Sequence, residues 1–174
     1  AEKSYQNRPK AIGITVRRLQ FNPQAIRRHY FANSPVMSHL LTALSSTFPI
    51  GEQFFVHSVR NVRDKVQDEN LQAQIAAFIG QEAMHSKEHE AFNAYMNHFG
   101  YDAAWMEKTT RKVIDLKRFL RFVAPDQAKL DLAATCALEH FTATIAAQLL
   151  RRTDIQGLMQ DPTMLKMWQW HAVE

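Results

Sequence analysis

The segment FIGQEAMHSKEHEAF, residues 78–92, constrains this chain more than any other, because it places Glu82, His85 and His89 between two phenylalanines at helical spacing. At about 100° per residue, positions three, four and seven apart fall close together, so Phe78, Glu82, His85, His89 and Phe92 share one stripe of an α-helix. A carboxylate and two imidazoles on an apolar face are costly to bury unless hydrogen bonds, an opposite charge or a metal ion compensates. Two readings compete. Either neighbouring side chains satisfy the histidines, or the stripe is half of a dinuclear metal site, in which facing bundle helices present Glu-x-x-His. Short motifs recur by accident, so carboxylates elsewhere must decide.

A chain of 174 residues suits one domain with a sizeable core. Five glycines, scarce strand-like alternation and an abundance of helix formers favour an all-α fold. The single Cys136 excludes an internal disulfide framework and a zinc site built on several thiolates, which fits a reducing cytoplasm. No run of 18 apolar residues occurs and the start AEKSYQNRPK lacks the apolar core of a secretory signal, so the chain is expected to be soluble. The net charge of +4 is uneven: residues 1–30 carry +6 and the remainder −2. This basic arm could touch phosphates or an anionic membrane surface, but no nucleic-acid motif accompanies it. It reads as a solvated or surface-associating extension, and nucleic-acid binding is not expected.

The pattern predicts a basic arm over residues 1–22, with a short strand at Ile14–Val16, followed by a helical domain over 23–174. Helices are expected within 23–31, from about Pro35 to Phe48 with Ser34 as cap, and anew after Pro49 and Gly51, which places Glu52 in a first turn favoured by the helix dipole. The longest pattern runs from about 68 to 99 and stops at Gly100. An amphipathic helix over 102–123 ends at Pro125 and Asp126, and an apolar helix follows over 127–152. GLMQD reads as a linker, and Asp161 before Pro162 caps a final helix.

A dinuclear site needs carboxylates on other core-facing helices. Glu52 shares a face with Phe55, Val56 and Val59, although Arg63 could pair with it instead. Glu139 is the more telling, since with His140 it is nearly the only charged or titratable residue between Leu132 and Leu150. Ionised carboxylates are almost never fully buried without a partner. In DPTMLKMWQWHAVE, Met164, Met167 and His171 lie close to one face, with Glu174 beside it. A second Glu-x-x-His would come where the sequence stops, so the natural chain is expected to continue. His89 could be a further ligand or a group behind the ligands that orients one of them, and the latter is favoured. His57, His140 and Arg60 fall off the main stripes.

FPIGEQFFVHSVR (48–60), FIGQEAMHSKEHEAFN (78–93), ALEHFTA (137–143) and DPTMLKMWQWHAVE (161–174) together resemble the bacterial proteins called predicted metal-dependent hydrolases, of the ferritin-like superfamily. The resemblance implies a ferritin-like four-helix bundle, here with additional N-terminal helices, and Glu52, Glu82, His85 and Glu139 as metal ligands. In that family the last motif continues into Glu-x-x-His, which this sequence lacks. His171 is similar in placement to the extra ligand of the arylamine N-oxygenases, another ferritin-like group, which makes it a candidate ligand; Glu174 is a weaker one.

Glu and His donors without thiolate suit iron, manganese or zinc. By analogy with the ferritin-like fold, two divalent ions are expected, iron first, serving an oxygen-dependent oxidase or oxygenase on a small, apolar substrate admitted beside Thr142, Ala143 and Ala146. The alternative is a hydrolase using a metal-activated water, as the family label states; a third is a non-enzymatic metal-binding bundle. No Ser-His-Asp pattern accompanies the site. A homodimer is compatible with the pattern.

Overall fold

Caps set the helix boundaries. The computed structural model describes residues 13–22, 26–119 and 126–174, which form α1 (Pro35–Arg63), α2 (Glu69–Asn97), α3 (Ala103–Phe119), α4 (Gln127–Arg151), α5 (Thr153–Leu158) and α6 (Pro162–Val173). Ser34, Asp68, Asp126 and Asp161 each accept a backbone N–H of the following first turn, and proline opens α1 and α6. Beyond α2, Gly100 adopts φ +84°, a left-handed conformation that residues with a Cβ rarely take. The fold is all-α among the described residues. None of its helices is long and apolar enough to cross a membrane.

The two helices expected on either side of Pro49 are one. Pro49 lies inside the 29-residue α1 and is itself buried. A proline there has no N–H to give the carbonyl of Ser45, and such a gap in the ladder normally kinks or breaks a helix. Here Nδ2 of Asn93, on α2, donates to that carbonyl at 3.2 Å. The tertiary neighbour fills the vacancy, so Glu52 sits mid-helix and the helix-dipole argument for it lapses.

Other expectations are corrected as well. Residues 14–16 form no strand; they have no regular secondary structure, and the Thr15 carbonyl accepts from the Gln81 side chain. Residues 26–31 are irregular and turn-like where a helix was expected, while 23–25 lie outside the described residues. No helix therefore precedes α1 among the described residues. GLMQD begins inside α5, and α3 is described to Phe119, with 120–125 beyond the described residues.

The inner face of α1 carries buried small polar residues, Ser38, Thr42, Ser45, Ser46 and Ser58. Thr42 and Ser46 donate to carbonyls one turn back, at 2.7 Å each, which satisfies the hydroxyls locally. Ser45 bonds to His89 and Asn93 of α2, Ser58 to Thr135 of α4, and Ser38 and Thr42 to Phe31 and Tyr30. Helices α1 and α2 run antiparallel, with Ser45 opposite His89 and Asn93, Pro49 opposite Ser86, and Arg63 opposite Gln72. An apolar core of Ile26, Tyr30, Phe92, Met96, Met164, Met167 and Trp168 closes one end of this pair. α4 packs on α1 and α6, yet Leu138, Phe141 and Ile145 on it are exposed, so this helix is less buried than its composition suggests.

Residues 13–22 lie across α2 and α6 and are not a free solvated arm. The Thr15 carbonyl accepts from Gln81, the Arg17 carbonyl from Trp170, and the Phe21 N–H donates to buried Glu88. Gly80 admits this strap, since a Cβ there would stand 3.1 Å from Val16 Cγ2. Replacing Gly100 by alanine is expected to lower unfolding free energy by about 1 kcal/mol without changing helix content, measured by chemical denaturation followed by circular dichroism.

Candidate metal centre

The antiparallel register of α1 and α2 brings Glu52 level with Glu82 and His85, all three buried at 3–5% exposure. One oxygen of each carboxylate and one ring nitrogen of His85 lie within 4.8 Å of one another. α6 adds His171 from the side: its Nε2 is 4.0 Å from Glu52 Oε1, and its ring lies against that of His85 with centroids 4.1 Å apart. A second group of three, Glu52, His89 and His171, meets the same 4.8 Å spacing. Glu52 belongs to both.

Neither Glu52 oxygen and neither His85 nitrogen has a hydrogen-bond partner. Glu174, the C-cap of α6, is drawn in as well. Its Oε1 accepts from the Arg17 backbone N–H at 2.6 Å, while its Oε2 lies 3.4 Å from His85 Nε2 and has no hydrogen bond. Arg63, which could have neutralised Glu52, instead donates from Nε to Gln72 at 2.9 Å.

Charge does not rescue these atoms from within. Burial, then the neighbouring Glu82, Glu139 and Glu90, hold the Glu52 carboxyl well above its ordinary range. Burial, then Glu139 and Glu174, push Glu82 up to about 8. Burial lowers His85 to about 4, and burial with His85 nearby lowers His89 to about 3. His171 is lowered well below its usual value by burial, His89 and His85. Neutral imidazoles cannot pair with carboxylates. Hydrogen bonds do not reach the orphaned atoms and no protonated histidine balances them, so the cluster is neutral only while its carboxyls hold their protons, and once they ionise a cation is the partner it can take. The donor set of carboxylate oxygens and imidazole nitrogens fits a divalent transition metal.

Of the residues singled out from sequence, Glu52, Glu82, His85 and His171 come together, and Glu174 borders them. Glu139 is only half-buried; it lies near enough to raise the pKa of Glu52 and Glu82, but its carboxylate is not among the atoms gathered within 4.8 Å. Its own carboxyl is raised by burial. His89 is fully buried with both ring nitrogens hydrogen-bonded, Nδ1 to Ser45 Oγ and Nε2 to His171 Nδ1, each at 2.7 Å. Both of its nitrogens are thus engaged by Ser45 and His171. Ser45, Asn93, Arg17 and Trp170 were not signalled by the sequence; only their hydrogen bonds and ring contacts in the folded chain reveal them.

A cleft of about 410 Å³ between α1 and α2 reaches Glu52 and Glu82 from outside, with His57, Arg60, Lys87 and Glu90 among its walls. His57 and Arg60, off the stripes in sequence, thus stand at its rim.

These shifts set a pH dependence for the metal-free protein. Histidines with depressed pKa make stability rise with pH up to about 6.5, while carboxyls with raised pKa make it fall from about 4.5 upward, Glu82 up to about 8. The two trends oppose each other below pH 6.5, and above it only the carboxyls act. The melting temperature of metal-free protein is therefore expected to fall between pH 6.5 and 8, and saturating divalent metal should abolish that fall. Differential scanning calorimetry in chelated and metal-loaded samples would check both.

A family model described as predicted metal-dependent hydrolase matches residues 15–174. No curated protein and no solved structure matches.

Proposed function

Because this chain belongs to the family of predicted metal-dependent hydrolases, we propose that it hydrolyses a small-molecule substrate at a divalent metal held by Glu52, Glu82 and His85, with His171 contributing from the Glu52 flank. The observation that carries the reading is the set of unpartnered buried atoms on Glu52 and His85, facing Glu82 across the α1–α2 seam. The fold that holds them is read as a ferritin-like bundle built on α1, α2, α4 and α6, with residues 13–22 laid against it as a strap.

A bound cation of this class supplies Lewis acidity, which polarises a scissile bond and makes water a nucleophile near neutral pH. The chain's own residues provide the rest. Glu52 and Glu82 form the inner wall of the cleft and would turn their oxygens toward the ion. The cleft admits substrate between α1 and α2, where Arg60 and Lys87 offer positive charge and Glu90 negative. Glu139, a half-buried carboxyl near both ligand glutamates but outside the cluster, is placed to hold or move a proton. Trp170 covers the His85 ring edge-on, centroids 5.0 Å apart, and limits water on that side.

The described residues complete one three-ligand position. The second ion expected from sequence would share Glu52 and His171, a partial set. Zinc, manganese and iron all suit these donors. The oxygenase reading that the sequence favoured receives no support from the family match, whose description names hydrolysis.

Metal analysis of wild-type protein is expected to return zinc, manganese or iron bound in proportion to protein, with hydrolysis of activated ester or phosphoester probes that chelation removes and metal restores. Glu52→Gln and Glu82→Gln should each lower metal affinity at least tenfold. Stoichiometric metal with no hydrolysis of any probe, and uptake of dioxygen after reduction, would overturn the hydrolytic assignment. Glu139→Gln is expected to keep most of its metal while losing activity; loss of metal as complete as in Glu52→Gln would make Glu139 a ligand instead. Metal uptake at pH 7 should also release protons, since the raised carboxyls must ionise to bind, measurable by calorimetry in buffers of different ionisation enthalpy.

A further inference from the structure

We infer that Ser45 and Asn93 are positioning residues that dictate the tautomer of His171, leaving its Nε2 a bare lone pair beside Glu52, through a one-way chain of hydrogen bonds that begins at the ladder gap left by Pro49. The inference rests on the metal-centre reading for its purpose, though not for its geometry. The chain can be followed atom by atom. Ser45 Oγ, 2.7 Å from His89 Nδ1, is also 2.8 Å from Asn93 Oδ1, and Asn93 Nδ2 is 3.2 Å from the Ser45 carbonyl.

The direction of each bond follows from what each atom can do. The Ser45 carbonyl only accepts, and Pro49 has no N–H to offer it. Asn93 must therefore present its NH₂ there, which turns its Oδ1 toward Ser45 Oγ. The hydroxyl has one hydrogen, and Oδ1 can only accept, so that hydrogen goes to Asn93. Ser45 Oγ can then only accept from His89, which must carry its proton on Nδ1. With His89 neutral, its Nε2 is an acceptor and takes the Nδ1–H of His171 across 2.7 Å. His171, neutral in its turn, has no proton left for Nε2, the atom 4.0 Å from Glu52 Oε1. The opposite polarity would set two lone pairs against each other at Ser45 or two N–H groups against each other between the rings. Edge contacts from Phe48 to the His89 and His171 rings, with centroids at 4.7 and 5.1 Å, hold both in this orientation.

A neutral imidazole binds a metal through its unprotonated nitrogen, and the bond made by the other nitrogen selects which one that is. Four side chains of α1, α2 and α6 thus prepare a ligand atom before any ion arrives. His89 is excluded as a ligand by the same logic, because its Nε2 lone pair is already taken.

The test uses metal-free protein labelled with nitrogen-15 in its histidine rings, in which long-range proton–nitrogen spectra distinguish the tautomers. Both His89 and His171 are expected to carry the proton on Nδ1 at pH 7. In Ser45→Ala, His89 is released to protonate Nε2 and donate toward His171, so His171 should shift toward the Nε2–H form and zinc affinity should fall about 10- to 100-fold. Ser45→Thr, which keeps the hydroxyl, should retain the wild-type spectrum. Nε2–H on His171 in the wild-type protein, or an unchanged tautomer in folded Ser45→Ala, would overturn the inference. If Ser45→Ala does not fold, the wild-type spectrum decides it: Nδ1–H on both rings upholds the inference and Nε2–H on His171 overturns it. Wild-type protein with the expected tautomers that takes up no divalent metal would refute the metal centre and leave the chain of bonds standing.

Discussion

The burial of acidic and imidazole groups without enough hydrogen bonds is the constraint from which the rest of this molecule follows. Glu52 and His85 each have two side-chain atoms buried and unpartnered, at the seam of the two longest helices. Such atoms carry a large desolvation penalty, and the neutral histidines around them offer no opposite charge. A divalent cation reverses the sign of the problem, turning crowded carboxylates from mutual repulsion into shared ligands. Without an ion, the carboxyls meet that cost by keeping their protons to higher pH.

That arrangement depends on how closely α1 and α2 approach. Thr42, Ser46 and Ser58 on α1 donate to carbonyls of their own helix, so these polar residues carry little penalty, while Ser45 bonds across to α2. Pro49 would ordinarily interrupt such a helix. The amide of Asn93 closes the gap and thereby becomes oriented itself, so a defect in one helix becomes an instruction to the next. The strap of residues 13–22 adds a third wall: its backbone reaches Glu174, Gln81, Glu88 and Trp170, and Gly80 leaves room for it to lie flat.

Two features separate this site from a structural ion-pair cluster. Among the described residues no lysine or arginine forms an ion pair with Glu52 or Glu82, since Arg63 donates to Gln72 and the guanidinium of Arg17 reaches Glu174. An external cleft also touches the same glutamates. An ion placed only for stability would have no need of access. The combination of an unbalanced acidic interior and a route to it is the arrangement expected of a working centre.

The sequence by itself determined the all-α class, the caps at Ser34 and Asp161, the stop at Gly100 and the stripe of Glu82, His85 and His89, because each depends on neighbours within two helical turns. It also pointed to Glu52 as a carboxylate on an apolar face. Only the tertiary structure decided that Pro49 continues a helix, that residues 14–16 form no strand, that Glu139 is half-exposed and stands apart, and that Ser45 and Asn93 lie behind His89. Those outcomes rest on partners more than 40 positions away in the chain, such as the Asn93 amide on the Ser45 carbonyl. Local periodicity tells which face a residue occupies, whereas which atom on the opposing helix meets it is set by register between helices, and that exists only in the folded molecule.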